Sequence, residues 1–131
     1  MKTKMSGYAM LTGFMLAFAL IIYGAYSPAR KASKQRIVCV KFKKDVEKQV
    51  IDQHLHEFLA LKGQIKQIVS ASAGQTILPD GKVSAYDLVE TITFQSEADI
   101  RTFEADPNYQ AFLKRNAGSL ADVLTLNADI Q

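Results

Sequence analysis

"DPNYQAF", residues 106–112, decides how the second half of this chain is built. It sets an acid, a proline and two aromatics between two stretches with helical spacing, so it is either a reactive loop or the start of a helix. Local chemistry favours the helix start. Asp106 can accept the free amide hydrogens of a first turn, and Pro107 has no N–H to leave unpaired at the first helical position. Tyr109, Phe112 and Leu113 then fall at i, i+3 and i+4 and turn toward a core. A helix broken at Asp106 is expected, with Gly118 ending its second part.

The neighbouring segments extend the pattern in both directions. "YDLVETITF" (86–94) is the clearest strand, and Ser96 caps a short helix through "EADIRTFEA" with Asp99 three residues on. "ADVLTLNADI" (121–130) reads as a last strand. Before residue 86, "LPDGK" makes a turn in which Asp80-Gly81 supply the tight positions. A second strand is expected from Ile65 to about Thr76, its "SASAG" marking a bulge or an edge. "RIVCVKF" (36–42) has strand composition. In the following helix Val46, Val50, Ile51, Leu55, Phe58, Leu59 and Leu61 recur at helical steps, with Asp45 as its cap and Gly63 as its left-handed stop. The order is that of an α+β, ferredoxin-like βαββαβ fold with an antiparallel sheet and helices on one face.

The N-terminus differs in kind. Met5 to Tyr26 is a run of 22 uncharged residues, between Lys2 and Lys4 on one side and Arg30, Lys31, Lys34 and Arg36 on the other. About 20 apolar residues suffice to cross a bilayer. Residues 1–26 are therefore expected to be a single-pass transmembrane anchor or a cleaved signal segment, with Ser27-Pro28-Ala29 as the candidate cleavage site. Residues 27–35 form a tether and 36–131 the folded domain, expected on the exported side of a membrane contacted through residues 5–26.

Charge follows the same division. Residues 1–35 hold five Lys or Arg and no acid, whereas residues 36–131 hold eleven against thirteen Asp or Glu, a net of −2. The basicity belongs to the flanks of the apolar run, which argues against a nucleic-acid-binding domain. The one cysteine, Cys39, lies between two valines in the first strand and reads as a small buried hydrophobe. His54 and His56, two apart on a helix, cannot face one metal and read as exposed polar residues. No metal or cofactor motif is present in the sequence.

With "IVCVKFK", "LKGQI", "YDLVETITFQSEAD" and "DPNYQAF" in place, residues 36–131 resemble the stress-responsive A/B barrel (Dabb) family of dimeric α+β barrels. The resemblance implies a homodimer in which two sheets pack face to face. The alternation agrees: Ile37, Cys39, Val89 and Thr91 share one half-apolar face, which a partner sheet would cover. Plant polyketide cyclases of this family carry a His opening the first strand, a Tyr in the short second helix and a His after the helix-start proline. The matching positions here are Arg36, Phe103 and Tyr109, and all three differ.

The expected ligand-binding residues are Arg36, Phe58, Tyr86, Glu90, Phe103 and Tyr109, walling a cavity for a small apolar or aromatic ligand between sheet and helices. Glu90 either pairs with Arg36 or meets the ligand. The expectation is binding without catalysis, a cofactor-independent enzyme of the polyketide cyclase or antibiotic-biosynthesis monooxygenase type being the alternative.

Overall fold

The computed structural model describes residues 2–25 and 30–131, and, within the first helix, the side chains of residues 7–19. Helix α1 (Lys2–Ala25) is followed by β1 (Lys34–Phe42), α2 (Lys48–Gln64), β2 (Ser70–Gln75), β3 (Leu88–Phe94), α3 (Glu97–Ala105), α4 (Pro107–Asn116), a 3-10 turn and β4 (Leu120–Asp129). The four strands form one sheet in the order β2-β3-β1-β4, with every neighbouring pair antiparallel. This is the ferredoxin-like arrangement expected from the sequence, with its second helix in two parts.

Strand alternation sorts the residues. On β3 Leu88, Glu90, Ile92 and Phe94 are buried, while Val89, Thr91 and Thr93 are half-buried on the other face. On β1 Arg36, Val40 and Phe42 are buried on the helix side, and Val38 stands opposite Glu90 in the ladder. Phe58 and Leu61 of α2, Ile65 and Ile68 after it, Ile100 and Phe103 of α3, and Phe112 of α4 close over Ile92 and Phe94. Each large apolar side chain buried this way contributes roughly 1.5–3 kcal/mol. The opposite face carries Ile37 and Cys39 beside Leu124 and Leu126 of β4, the latter two exposed.

The helix starts around residue 106 form as expected. Asp99 N–H donates to Ser96 Oγ at 3.2 Å, and Asn108 N–H donates to Asp106 Oδ1 at 2.8 Å with Pro107 in the first turn. Gly81 carries the left-handed backbone, φ +72°, of the expected turn. Leu113, expected in the core, is 41 % exposed, while Phe112 is buried beside it.

Several expected boundaries need correction. Asp45 does not cap α2: Val46 N–H turns back onto the carbonyls of Lys43 and Lys44, so the helix begins after Glu47, which makes no side-chain cap bond. Gly63 lies inside α2 and does not stop it; the helix ends at Ile65, in extended backbone, because Ile65 and Ile68 turn into the core. That burial also takes residues 65–69 out of the second strand. Only Ser70–Gln75 pairs with β3, as a sheet edge. Gly118 falls in the 3-10 turn after α4, and none of the described residues other than Gly81 has a left-handed φ.

The expected membrane anchor and exported-side location are also corrected. Among the described residues, no helix is long and apolar enough to cross a membrane. Tyr26 and the candidate cleavage site at residues 27–29 lie outside the described residues.

Candidate functional site

His54 is the residue on which the site turns, and the sequence reading misplaced it. It is 1 % exposed, not a solvated helix residue. Phe58 and Leu61 follow it at four and seven residues along α2, both buried, so His54 belongs to the stripe that α2 lays on the sheet. The Phe42 ring meets the imidazole edge-on at 5.3 Å, and Phe112 packs at 5.2 Å. His56, two residues on, faces solvent as expected.

The polar face of the imidazole is fully occupied. Nε2 is hydrogen-bonded to Glu90 Oε1, and Glu90 is itself 2 % exposed. Nδ1 lies 2.9 Å from Asn116 Oδ1. The Asn116 amide in turn donates to Phe112 O at 2.9 Å and to Glu57 Oε2 at 3.1 Å, and Arg115 Nε reaches the same Glu57 oxygen at 3.5 Å. A buried charge is tolerated only when paired and hydrogen-bonded, and this chain of contacts meets both conditions. Burial works against the charged imidazole most strongly. The hydrogen bond and charge of Glu90, joined by Asn116 and the more distant Glu57, outweigh it and hold His54 above its ordinary value.

Glu90 therefore does not pair with Arg36, one of the two alternatives expected for it. Arg36 stands opposite Asn127 in the β1–β4 ladder, and its Nε donates to Asn127 Oδ1 at 3.0 Å. Its other arm reaches Glu104 of α3, with the guanidinium 5.7 Å from the Phe103 ring centroid. Phe103 and Tyr109 pack with centroids 4.1 Å apart. Burial holds the Tyr109 phenol above its ordinary value, Arg36 opposes the rise, and Glu104 and Glu90 add to it. Tyr109 thus remains a neutral hydroxyl at physiological pH.

A cavity of about 80 Å³ lies between sheet and helices beside this pair. His54, Phe58, Glu90, Tyr109, Phe112 and Asn116 line it, with exposed Leu113 and Val123 at its rim. Of the six expected ligand-binding residues, Phe58, Glu90 and Tyr109 reach the cavity, while Arg36 and Phe103 pack behind Tyr109. Tyr86 is elsewhere: it lines an outer groove near the β2–β3 connection, its hydroxyl donating to Asp122 at 3.3 Å. A larger groove of about 470 Å³ lies outside, between α3 and the ends of β1 and β4. Each of its charges has a partner, Lys34 with Asp129, Arg101 with Glu97 and Glu104 with Arg36 behind it, and it holds neither His54 nor Glu90.

The model of the Stress responsive A/B Barrel Domain matches residues 35–129. Among solved structures, a protein from Arabidopsis thaliana superposes with a TM-score of 0.70 at 19% identity, covering 75% of this chain and 95% of its own. The hydroxynitrile lyase from Passiflora edulis superposes at 0.69 with 22% identity, covering 76% and 94%. A dimeric protein of unknown function with a ferredoxin-like fold from Bacteroides fragilis superposes at 0.64 with 18% identity, covering 76% and 98%. At these identities the likeness is one of fold. No curated protein matches the sequence.

Proposed function

The chain belongs to the stress responsive A/B barrel family, and from that membership and the cavity's polar wall we propose a cofactor-independent acid–base domain acting on a small apolar or aromatic compound. The observation that carries this reading is the His54–Glu90 pair, buried and set on the cavity wall. An acid–base group must hold an exchangeable proton near neutral pH, and an imidazole raised by a carboxylate meets that requirement. In the forward step a C–H or O–H bond of the ligand breaks, its electron pair stays on the ligand, and the proton joins the pair. The reverse transfer at another atom completes an isomerisation, elimination or ring closure without an oxidant. Phe58 and Phe112 supply the apolar walls, and neutral Tyr109 offers a hydroxyl to a developing oxyanion.

Binding without turnover is the second reading. It is favoured by the closed hydrogen-bond circuit, since among the described residues no buried side-chain polar atom lacks a partner. The folded unit is proposed to extend over residues 36–131 and to act as a homodimer, in which the outer face of Ile37, Cys39, Val89, Thr91, Leu124 and Leu126 meets its copy. Support comes from that half-apolar face and from the dimeric Bacteroides fragilis protein of like fold.

Proton transfer can be tested before the substrate is known. Full-length protein is incubated in D2O with small ketones and phenols, and deuterium uptake at acidic C–H positions is followed by NMR. Uptake above the buffer rate is expected, falling by about 10²–10⁴-fold in Glu90→Gln. Binding of a probe with uptake at the buffer rate overturns catalysis and leaves the second reading.

A further inference from the structure

The acid–base reading leaves open which atom of the buried pair a ligand meets. We infer that it is Glu90 Oε2, a hydrogen-bond acceptor, and that the site therefore selects a neutral O–H donor on a short acyclic chain, an aliphatic alcohol, over ketones, ammonium ions and carboxylates.

The imidazole has no nitrogen left for a ligand. Nδ1 lies 2.9 Å from Asn116 Oδ1, and Nε2 is bonded to Glu90 Oε1. Both partners are acceptors: the Asn116 oxygen points at the ring because its Nδ2 faces the Phe112 carbonyl at 2.9 Å and Glu57 Oε2 at 3.1 Å. Hydrogen fills both bonds, and Oε1 is committed to the ring wherever the proton between them sits. Oε2 differs. Among the described residues it has no hydrogen-bond partner, whereas every fully sealed side-chain polar atom has one. Oε2 is therefore reached from open space, and the space that Glu90 borders, though the residue is only 2 % exposed, is the cavity.

Charge and size narrow the ligand further. The Glu90 charge is answered by the ring, so an ammonium ion would bring an uncompensated charge into the void, and a carboxylate would set its oxygens against Oε2. A ketone has no hydrogen to give and leaves Oε2 unanswered. At about 80 Å³ the cavity has roughly half the volume, about 150 Å³, of an apolar cavity that takes benzene. An acyclic head fits, and a longer apolar tail leaves past exposed Leu113 and Val123. The chemical use of this atom rests on the acid–base reading: the ligand O–H bond breaks, its electron pair stays on the ligand oxygen, and Oε2 receives the proton. The binding preference itself requires no turnover.

The test is a ¹H–¹³C NMR titration, at pH 7, of full-length protein labelled on its histidine and phenylalanine rings, with 2-butanol, butanone, 2-butylammonium and isobutyrate as probes. 2-Butanol is expected to shift the rings of His54, Phe58 and Phe112 saturably and to bind about tenfold tighter than butanone, with both ions weaker still. In Glu90→Gln, which removes the charge that strengthens the bond, the ratio should fall severalfold. Tyr109→Phe, which removes the neighbouring hydroxyl but leaves Glu90, should keep the order. Butanone binding as tightly as 2-butanol, either ion binding best, no saturable shift of these rings by 2-butanol, a ratio unchanged in Glu90→Gln or an order reversed in Tyr109→Phe overturns the inference. Phenol binding at the same rings more tightly than 2-butanol overturns it too. If Glu90→Gln does not fold, the probe order in the unmutated protein and in Tyr109→Phe decides. Deuterium uptake at the buffer rate with the alcohol preference intact removes the acid–base reading and leaves this inference standing, whereas uptake above that rate with butanone preferred does the reverse.

Discussion

Replacing Glu90 with Gln keeps the shape of the buried pair but removes its negative charge, and the consequence must depend on pH. In the native protein His54 is held above its ordinary value of 6.5, burial opposing and Glu90, Asn116 and Glu57 prevailing. A group raised on folding contributes stability that is fully present below its unfolded value, about pH 6.5, and lost as pH rises through the folded one. In Glu90→Gln burial goes largely unopposed, so His54 should fall below its ordinary value and its charging should destabilise the acid side. The cost of the substitution is thus largest in acid and smallest in alkali. At pH 5.5 a charge-assisted hydrogen bond of about 1.5–3 kcal/mol gives way to a neutral one of about 0.5–1.5, a loss of about 1–2 kcal/mol. With a urea slope of about 2 kcal/mol per molar, the midpoint should drop by roughly 0.5–1 M. At pH 8.5 the drop should shrink to less than half of that. The assay is urea unfolding of both proteins at the two pH values, followed by circular dichroism. A loss of equal size at both, or one that grows toward alkali, would refute a charged His54–Glu90 pair.

Two further substitutions test the remaining structure. Val89→Lys places a charge on the outer sheet face beside Cys39, its β1 partner; light scattering should find a homodimer for the unmutated chain and monomer or aggregate for the variant, and an unmutated monodisperse monomer refutes the proposed assembly. Asp106→Ala removes the acceptor for Asn108 N–H and should cost about 1 kcal/mol in denaturant unfolding, while leaving any deuterium uptake unchanged, because Asp106 does not line the cavity. A large loss of uptake at native stability would make residue 106 part of the chemistry.

What the sequence determined by itself is set by interactions between residues close in the chain. Asp106-Pro107, Ser96 with Asp99, and Asp80-Gly81 each complete their hydrogen bonds within about three residues, so their chemistry is visible in a short window. Alternation along β3 likewise set Glu90 on one face with Leu88, Ile92 and Phe94, and the succession of elements pointed to the ferredoxin-like plan. Tertiary structure alone decided what Glu90 meets. Its partner His54 is 36 residues away and Asn116 is 62 from His54, and no local rule brings three helix and strand positions to one point. One signal was available: His54 shares helical spacing with Phe58 and Leu61, and Asn116 stands four residues after Phe112. Spacing gives a face, however, and not the depth at which a polar residue on it lies. Arg36 shows the same limit from the other side. Its face was legible, but the choice of Asn127 and Glu104 over Glu90 depended on β4 lying beside β1 and α3 crossing above it, which only the folded chain supplies.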